Sequence, residues 1–306
     1  MLILNSKNTQ KTSIKNIDIS QSYLKEIINE ISIPRHYIYE KKNNLKVRNF
    51  IKKEFEDLGL YSVYQGEYDN IIATFDGVLM SECTIIIGGH YDSVPNSLGA
   101  DDNASAIAGL LATAKALREI SPSLPVMFVA FNREEDGLLG SYDFLHTLPP
   151  SLIKTLKCVH ILEMIGYCSH EPNSQHIPEG LPIKVSNIGE FIAIIANRDS
   201  NHLIKNILNT AQKTQPKLKV KALKVFLGVE KFFPHLSRSD HAPFWQSRIP
   251  AMMWTDTSEF RNPHYHKASD TPDTLDYDFM QSVVELLSEV VLEELKRAEK
   301  ERKNYA

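Results

Sequence analysis

The sequence predicts an α/β fold, a three-layer sandwich in which a central, mostly parallel mixed sheet is covered by helices on both faces. Two observations carry this prediction. Short apolar runs of strand length recur along the chain, and helical patterns separate most of them. Within the runs, consecutive positions are apolar, which is typical of strands buried on both faces. Such a sheet needs helices on each side.

The elements follow in chain order. Strand-length apolar runs are NIIATF, TIIIGG, VMFVAF, VHIL, FIAIIA, ALKVFL and AMMWT. Helical spacing of apolar residues predicts helices at about 43–58, 103–120, 202–213 and 279–300. The first of these stops at Gly59, because glycine favours the left-handed conformation that ends many helices. Strands that alternate with helices in this way favour parallel pairing.

The chain is predicted to divide into an N-terminal helical arm over residues 1–45 and a single large domain over residues 46–306. The arm is rich in Asn, Lys, Ser and Ile and carries one amphipathic helical pattern at 22–32. We interpret it as an arm that packs on the core of the larger domain. The chain is long enough, and at 42% hydrophobic residues apolar enough, to bury a sizeable core.

Composition argues against several classes of partner. The formal charge of −4 provides no basic field for phosphate backbones, so nucleic acid is not an expected partner. No apolar stretch is long enough to span a bilayer, and no secretory signal is recognisable. The expected location is therefore the cytoplasm, with secretion as the alternative if the chain has been trimmed. We expect a monomer or a weak homo-oligomer, and three cysteines without a CxxC pair predict no disulfide scaffold.

Polar residues follow four of the apolar runs directly or after one loop. They are His90 with Asp92, Glu134 with Glu135, Glu163, and His264 with His266. Ligands of open α/β sheets bind beyond the carboxyl ends of the strands, so these groups are expected to converge on one edge. Acidic residues gathered there need a cation, since they otherwise repel one another.

Each motif has its own physical reason. Asp92 can accept the ring N–H of a metal-binding His90 and so fix its tautomer. Asp102 and Asn103 fit the start of a helix as capping residues, whereas Asp101 needs another reason because one cap suffices. Of adjacent Glu134 and Glu135, one can bind metal while the other moves a proton.

The remaining candidates are a single carboxylate and a histidine pair. Glu163 is flanked by apolar residues, where an unpaired carboxylate would be costly, so a cation partner is expected. His264 and His266 stand two positions apart in a loop and need not point the same way. Only one of the two is therefore expected to be a ligand.

At this point the sequence resembles the M28 zinc aminopeptidases, co-catalytic two-metal metallopeptidases whose fold relatives include glutaminyl cyclases. The resemblance covers about residues 45–295, and its motifs occur in the family's order. The matching segments are 88–93, 99–105, 134–141, 163–164, 239–241 and 266–271. It implies a zinc-dependent exopeptidase fold and a metallopeptidase catalytic domain over 46–306.

The resemblance also implies a role for each residue. Two divalent metal ions, zinc by preference, would be bridged by Asp101. The peptide bond between Asp101 and Asp102 would be cis. His90 and Glu163 would complete one metal site, and Glu135 and His266 the other. Glu134 would be the general base. Asp92 would take part in catalysis by supporting a metal ligand or orienting the substrate. The residues expected to contact the substrate or support the ligands are Asp240, Asp102, Tyr167 and Trp245.

The implied activity is the hydrolysis of N-terminal residues from peptides with a free N-terminus. Loops around Tyr167, Phe232, Phe233 and Trp245 are expected to shape the pocket for the first residue. One departure is that Glu163 occupies a position held by Asp in several well-known members. The alternatives are a glutaminyl-peptide cyclotransferase with a single zinc, an M20-type di-zinc carboxypeptidase or deacylase, and a non-enzymatic receptor that keeps the fold.

Overall fold

The central sheet of the protein has nine strands in the order β1-β8-β7-β9-β6-β4-β5-β3-β2. This is seen in a computed structural model that describes residues 1–6 and 17–305, with the side chains of 301–305 left aside. The strands are β1 Leu2–Asn5, β2 Leu60–Gln65, β3 Asn70–Phe75, β4 Ile85–His90, β5 Val126–Phe131, β6 Cys158–Glu163, β7 Phe191–Ala196, β8 Lys219–Lys224 and β9 Ala251–Thr255.

Parallel pairing is concentrated in the middle of the sheet. Strands β5, β4, β6 and β9 pair in parallel, as do β7 and β8. The other pairs, β1 with β8, β2 with β3, β3 with β5 and β7 with β9, are antiparallel. The predicted α/β sandwich around a mixed sheet is therefore confirmed.

Helices cover both faces of this sheet. They are α1 Gln21–Ile31, α2 Lys41–Asp57, α3 Ala106–Ile120, α4 Leu139–Thr147, α5 Pro150–Thr155, α6 Ile204–Thr214, α7 His241–Gln246 and α8 Tyr277–Tyr305. Apolar side chains of α1, α2, α3, α6 and α8 form the core on one face, and those of α4, α5 and α7 form the core on the other. No helix in the described ranges is long and apolar enough to cross a bilayer.

The N-terminal arm joins the larger core. Helix α1 begins after Ser20, whose side chain accepts a hydrogen bond from the backbone N–H of Tyr23. Its buried stripe, spaced as one face of a helix requires, consists of Leu24, Ile27, Ile28 and Ile31. Strand β1 was not predicted; it pairs with β8 at the sheet edge. Residues 7–16 of the predicted arm lie outside the described residues, and the boundary near residue 45 stays a prediction.

The topology places the chemistry at one edge. Strands β4, β6 and β5 run in parallel, so His90 and Glu163, the last residues of β4 and β6, and Glu134, just beyond β5, lie at the same end of the sheet. The segment Ala100–Ser105, between β4 and α3, lies at that end too. It breaks from helical geometry at Asp102 and Asn103.

Candidate metal centre

Carboxylates surround the buried imidazole of His90. Its Nε2 lies 3.5 Å from Asp102 Oδ1, 3.5 Å from Glu163 Oε2 and 3.9 Å from Glu134 Oε2. Glu163 Oε2 also accepts a 2.6 Å hydrogen bond from Ser239 Oγ. The structure thus brings His90 and Glu163 together as the sequence predicted.

A second group of donors gathers around His266. Its Nε2 lies 3.1 Å from Asp102 Oδ2 and 3.3 Å from Glu135 Oε2. The Tyr265 ring stacks on the imidazole with centroids 3.7 Å apart and so fixes its orientation. His264 instead contacts Ser269 Oγ through Nδ1 at 3.0 Å, which leaves His266 as the histidine at the centre.

Asp102 joins the two groups. One of its oxygens faces His90 and the other faces His266. Among the described residues, three overlapping sets of donors at the centre are each close enough to hold one ion: His90, Asp102 and Glu163; Asp102, Glu135 and His266; and His90, Glu134 and Glu135. The first two share Asp102. A carboxylate shared in this way suits two neighbouring cations, because each oxygen can face a different one.

The structure contradicts the expected position of Asp101. Its Oδ1 accepts the backbone N–H of Gly166 at 2.9 Å and its Oδ2 accepts the Asn262 amide at 2.7 Å. Both oxygens therefore serve the surrounding loops and not the centre. The cis peptide bond is also one residue further along than expected, between Asp102 and Asn103.

The capping interpretation of Asp102 and Asn103 is corrected as well. Helix α3 begins after Ser105, and neither residue caps it. The Asn103 amide donates to the Leu162 carbonyl at 3.1 Å and accepts from the Met164 backbone at 2.9 Å. Asn103 thereby ties the Asp102 loop to the end of β6, where Glu163 lies.

Orphaned polar atoms indicate that these groups fit cations. Nε2 of His90 and Oε1 of Glu135 are buried without a hydrogen-bond partner among the described residues. Buried polar groups are normally satisfied, so unpaired donor atoms that lie this close together call for a ligand. Imidazole and carboxylate donors suit Zn²⁺, and also Co²⁺ and Mn²⁺.

Titration of the site reflects the same crowding. Burial lowers the affinity of His90 for a proton, but Glu134 and Glu163 outweigh it and raise the pKa of His90 well above its usual range. Burial, with Asp102 next, raises the pKa of Glu135 to about 7. Burial disfavours the His266 cation too, yet Asp102 and Glu135 raise the pKa of His266 to about 10.

Asp92 links His90 to the two glutamates. Its Oδ1 lies 3.4 Å from His90 Nδ1, and its two oxygens each accept one backbone N–H, from Glu134 and Glu135, at 3.2 Å. The side chain is completely buried. Asp92 therefore orients the imidazole and holds the loop that carries both glutamates.

Replacing Asp92 with Asn is expected to weaken metal binding by about 10- to 100-fold, because the imidazole loses its anionic partner. The fold should persist, since Asn retains one carbonyl oxygen to accept a backbone N–H. Metal titration of the variant against the parent protein measures the effect. An unchanged affinity would show that Asp92 does not orient His90.

Comparison of the sequence with known proteins identifies its family and its relatives. The sequence model of peptidase family M28 matches residues 70–291. The chain belongs to peptidase family M28. It is 36% identical to the uncharacterized protein YfbL of Escherichia coli, over 72% of this chain and 69% of YfbL. It is 27% identical to aminopeptidase YwaD of Bacillus subtilis over 71% of this chain, but spans only 42% of YwaD.

Solved structures share the fold at low sequence identity. The LapA aminopeptidase of Legionella pneumophila has a TM-score of 0.66 at 20% identity, covering 93% of this chain and 77% of LapA. A zinc aminopeptidase from Bacillus subtilis scores 0.56 at 22% identity, covering 73% and 49%. A glutaminyl cyclase of Macrostomum lignano scores 0.66 at 17% identity, covering 90% of each chain. These structures confirm the fold, and the sequence model over residues 70–291 confirms the family predicted from the order of the motifs.

Two predicted substrate contacts lie elsewhere in this M28 protein. Trp245 is buried in α7, where its indole N–H donates to the Ala251 carbonyl at 2.8 Å and its ring meets His241 edge-on. Tyr167 packs its ring against His264. Neither residue lines the cavity beside the metal centre, and Phe232 and Phe233 do not line it either. The aromatic residues that do line the cavity are Tyr142, Phe191, Phe260 and Tyr265.

The cavity itself has a volume of about 460 Å³ and opens on the candidate metal centre. Asp102, Glu134, Glu135, Glu163 and His266 line that end. Its walls elsewhere are largely apolar and come from β7, β8, β9, β1 and the loops at 175–185 and 235–239. A cavity of this size is typical of a small-ligand site.

Asp240 lies beside the centre without a hydrogen-bond partner for either oxygen among the described residues. Burial raises the pKa of Asp240 to about 7, and the nearby positive charge of His90 opposes that rise. Asp240 is fully buried and does not line the cavity, so its role in orienting substrate stays a prediction.

Sequence reasoning missed Arg35, a fully buried cation of the N-terminal arm. Its guanidinium donates to the backbone carbonyls of Tyr91, Leu98 and Gly99 at 2.6 to 2.8 Å. It thereby ties together the loops that carry His90 and Asp102. No sequence signal identified it, because its partners are backbone carbonyls far along the chain.

A second cluster, made of Cys158, His160 and Glu294, also has metal-binding side chains. The Trp254 indole N–H points at His160 Nδ1 from 3.1 Å. Indole is only a donor, so Nδ1 is the acceptor and Nε2 carries the proton of the neutral ring. That proton is donated to Glu294 at 2.9 Å, which leaves Nε2 without a lone pair for a metal. We assign the cluster to hydrogen bonding in the core.

Proposed function

We propose that the protein is an aminopeptidase that uses two divalent ions, zinc by preference, held in the two donor sets that share Asp102. One observation carries this proposal: the two oxygens of Asp102 face different histidines, each accompanied by a separate glutamate. His90, Asp102 and Glu163 would hold one ion, and Asp102, Glu135 and His266 the other. Bound there, such ions lower the pKa of water and polarise a carbonyl group.

Glu134 is the residue that moves protons in this mechanism. It is buried at the cavity end of the centre, and burial together with Glu163 and Glu135 raises its pKa well above the usual range. A carboxylate with a raised pKa accepts a proton from water at neutral pH and returns it to a leaving amine. The C–N bond of the peptide breaks as the water oxygen becomes part of the new carboxylate.

The negative character of the cavity mouth supports exopeptidase action. Asp102, Glu134, Glu135 and Glu163 line the cavity there, beside a single histidine of the described residues, His266. A free substrate N-terminus is an ammonium group that such carboxylates stabilise. The first side chain would then enter the apolar part of the cavity. A cytoplasmic location, a monomeric or weakly oligomeric state and the lack of a nucleic-acid partner remain predictions.

The alternative functions require different features of the protein. An M20-type enzyme would need an extra domain between Glu135 and His266, but that segment supplies β6, β7, β8 and β9 of the central sheet. A single-zinc cyclotransferase would leave one of the two donor sets without a cation. A receptor that keeps the fold has no need of Glu134.

A direct comparison of substrates tests the proposal. The zinc-loaded protein is expected to release nitroaniline from leucine para-nitroanilide, to lose this activity on chelation and to regain it with zinc. The same preparation should not cyclise a peptide with an N-terminal glutamine. Cyclisation without anilide hydrolysis would contradict the aminopeptidase assignment.

A further inference from the structure

The floor of the cavity is a row of apolar side chains that crosses four strands. Met253 of β9 pairs with Ile195 of β7, Ile195 with Leu223 of β8, and Leu223 with Ile3 of β1. All four residues line the cavity. Neighbouring strands lie about 4.8 Å apart, so this row alone runs about 14 Å.

The same cavity is continuous with the metal centre. Glu163 of β6 pairs with Thr255 of β9, Thr255 with Ala193 of β7, and Ala193 with Lys221 of β8, and these four residues also line it. From β6 to β1 there are four strand spacings, about 19 Å. No side chain of the twenty amino acids reaches that far from a carbonyl group at the metal centre. The cavity is longer than a pocket for a first residue needs to be.

The side chains that line the cavity determine which class of ligand can occupy its full length. Leu181, Ile183 and Val185, from the loop at 175–185, add further apolar side chains to the lining. The backbone groups of the floor strands are already paired within the sheet. A peptide main chain lying on the floor would find no free backbone groups there to pair with its own N–H and C=O groups, which is costly. An aliphatic chain has no such groups.

Two cations of the lining, Arg238 and Lys221, are already engaged. Arg238 pairs with Glu259 and donates to Tyr265. The Lys221 ammonium lies 3.3 Å from Asn5 Oδ1 and 5.1 Å from the centre of the Phe191 ring, so the lysine presents its aliphatic stem to the slot.

We propose that the enzyme also hydrolyses N-acyl amides whose acyl group is a long unbranched aliphatic chain lying in this slot. The inference rests on the proposed function for its catalytic centre. Water attacks the acyl carbonyl, the C–N bond breaks, and the water oxygen stays on the released fatty acid. Glu134 takes one proton of that water and passes it to the leaving amine. Ile3 of β1 closes the far end of the slot and sets the longest chain accepted.

The test compares acetyl, hexanoyl and lauroyl para-nitroanilides with leucine para-nitroanilide on the zinc-loaded protein, and measures laurate binding by calorimetry. Each buried methylene favours binding by about fourfold, so lauroyl should exceed acetyl in kcat/KM by at least about 100-fold. Ile3→Trp should lower kcat/KM for lauroyl at least tenfold while changing leucine and acetyl anilides less than twofold.

Leu4→Trp is the matched control, because Leu4 is the next residue of the same strand and packs on the opposite face. Ile195→Trp, halfway along the slot, should also exclude hexanoyl, and it keeps the test valid if Ile3→Trp displaces β1. Hydrolysis of the leucine anilide without hydrolysis of the lauroyl anilide would overturn this inference alone. Laurate binding that Ile3→Trp abolishes, with no anilide cleaved, would support the slot and overturn the proposed function. Neither cleavage nor laurate binding would overturn both.

Discussion

Replacing Glu134 with Gln is expected to lower kcat by about 10²- to 10⁴-fold while zinc content stays unchanged. Gln keeps the size of the side chain but cannot accept a proton from water. The Glu134 carboxylate lies 3.9 Å from His90 Nε2, the longest contact to either histidine. It is therefore the acid in the centre whose loss should affect proton transfer more than metal binding. Steady-state kinetics and zinc analysis of the same preparation measure both quantities.

Glu135→Gln is the matched control for that experiment. Its carboxylate lies 3.3 Å from His266 Nε2, and the two share Asp102 as a third donor. This variant should lose zinc occupancy, and its activity should recover partly at high zinc concentration. A Glu134→Gln protein with near-normal kcat at full zinc loading would exclude Glu134 as the base.

Asp102→Asn is expected to lower metal affinity at both positions at once. Only Asp102 offers an oxygen to both donor sets among the described residues. The loss should exceed the 10- to 100-fold effect typical of residues that support a ligand indirectly. Peptidase activity should fall with the metal content.

Asp101→Asn, one residue away, provides the contrast. Its carboxylate accepts hydrogen bonds from Gly166 and Asn262, so an amide there loses one acceptor in a buried place. This should cost about 1–3 kcal/mol of folding free energy but leave zinc affinity nearly unchanged. Zinc titration and thermal unfolding of both variants separate the roles. Loss of zinc in Asp101→Asn, with retention in Asp102→Asn, would restore the arrangement expected from sequence.

Much of the centre could be predicted because it depends on strand ends. His90 and Glu163 each close a buried parallel strand, and Glu134 and Glu135 follow another. The parallel topology then brings these strand ends together, independently of the conformation of the loops. His266 needed the resemblance to a family, because it lies in a loop after β9 and only orientation separates it from His264.

The error at Asp101 and Asp102 has a local cause. Two adjacent acids before a helix look alike in sequence, and helix capping offered a sufficient reason for Asp102. The backbone leaves helical geometry at Asp102, with φ −101° and ψ 86°, and turns its carboxylate toward both histidines. Such a kink depends on contacts such as those of Asn103 with β6, which sequence periodicity does not contain.

Long-range pairing accounts for the other omissions. Strand β1 is four residues long and pairs with β8 from the other half of the chain. Arg35 contacts carbonyl groups, which every residue has. The cavity walls come mostly from β7, β8 and β9. In the sequence, the apolar residues of these strands cannot be distinguished from ordinary core residues. Trp245 and Tyr167 are aromatic residues of the kind that often line pockets, but Trp245 packs in the core and Tyr167 packs against His264.

Anomalous diffraction from crystals of the zinc-loaded protein tests the central claim most directly. Two zinc peaks are expected, each about 2.0–2.2 Å from a different oxygen of Asp102, with His90 and Glu163 at one peak and Glu135 and His266 at the other. Zinc bound to Asp101, or a single fully occupied peak with one of these donor sets empty at saturating zinc, would contradict it.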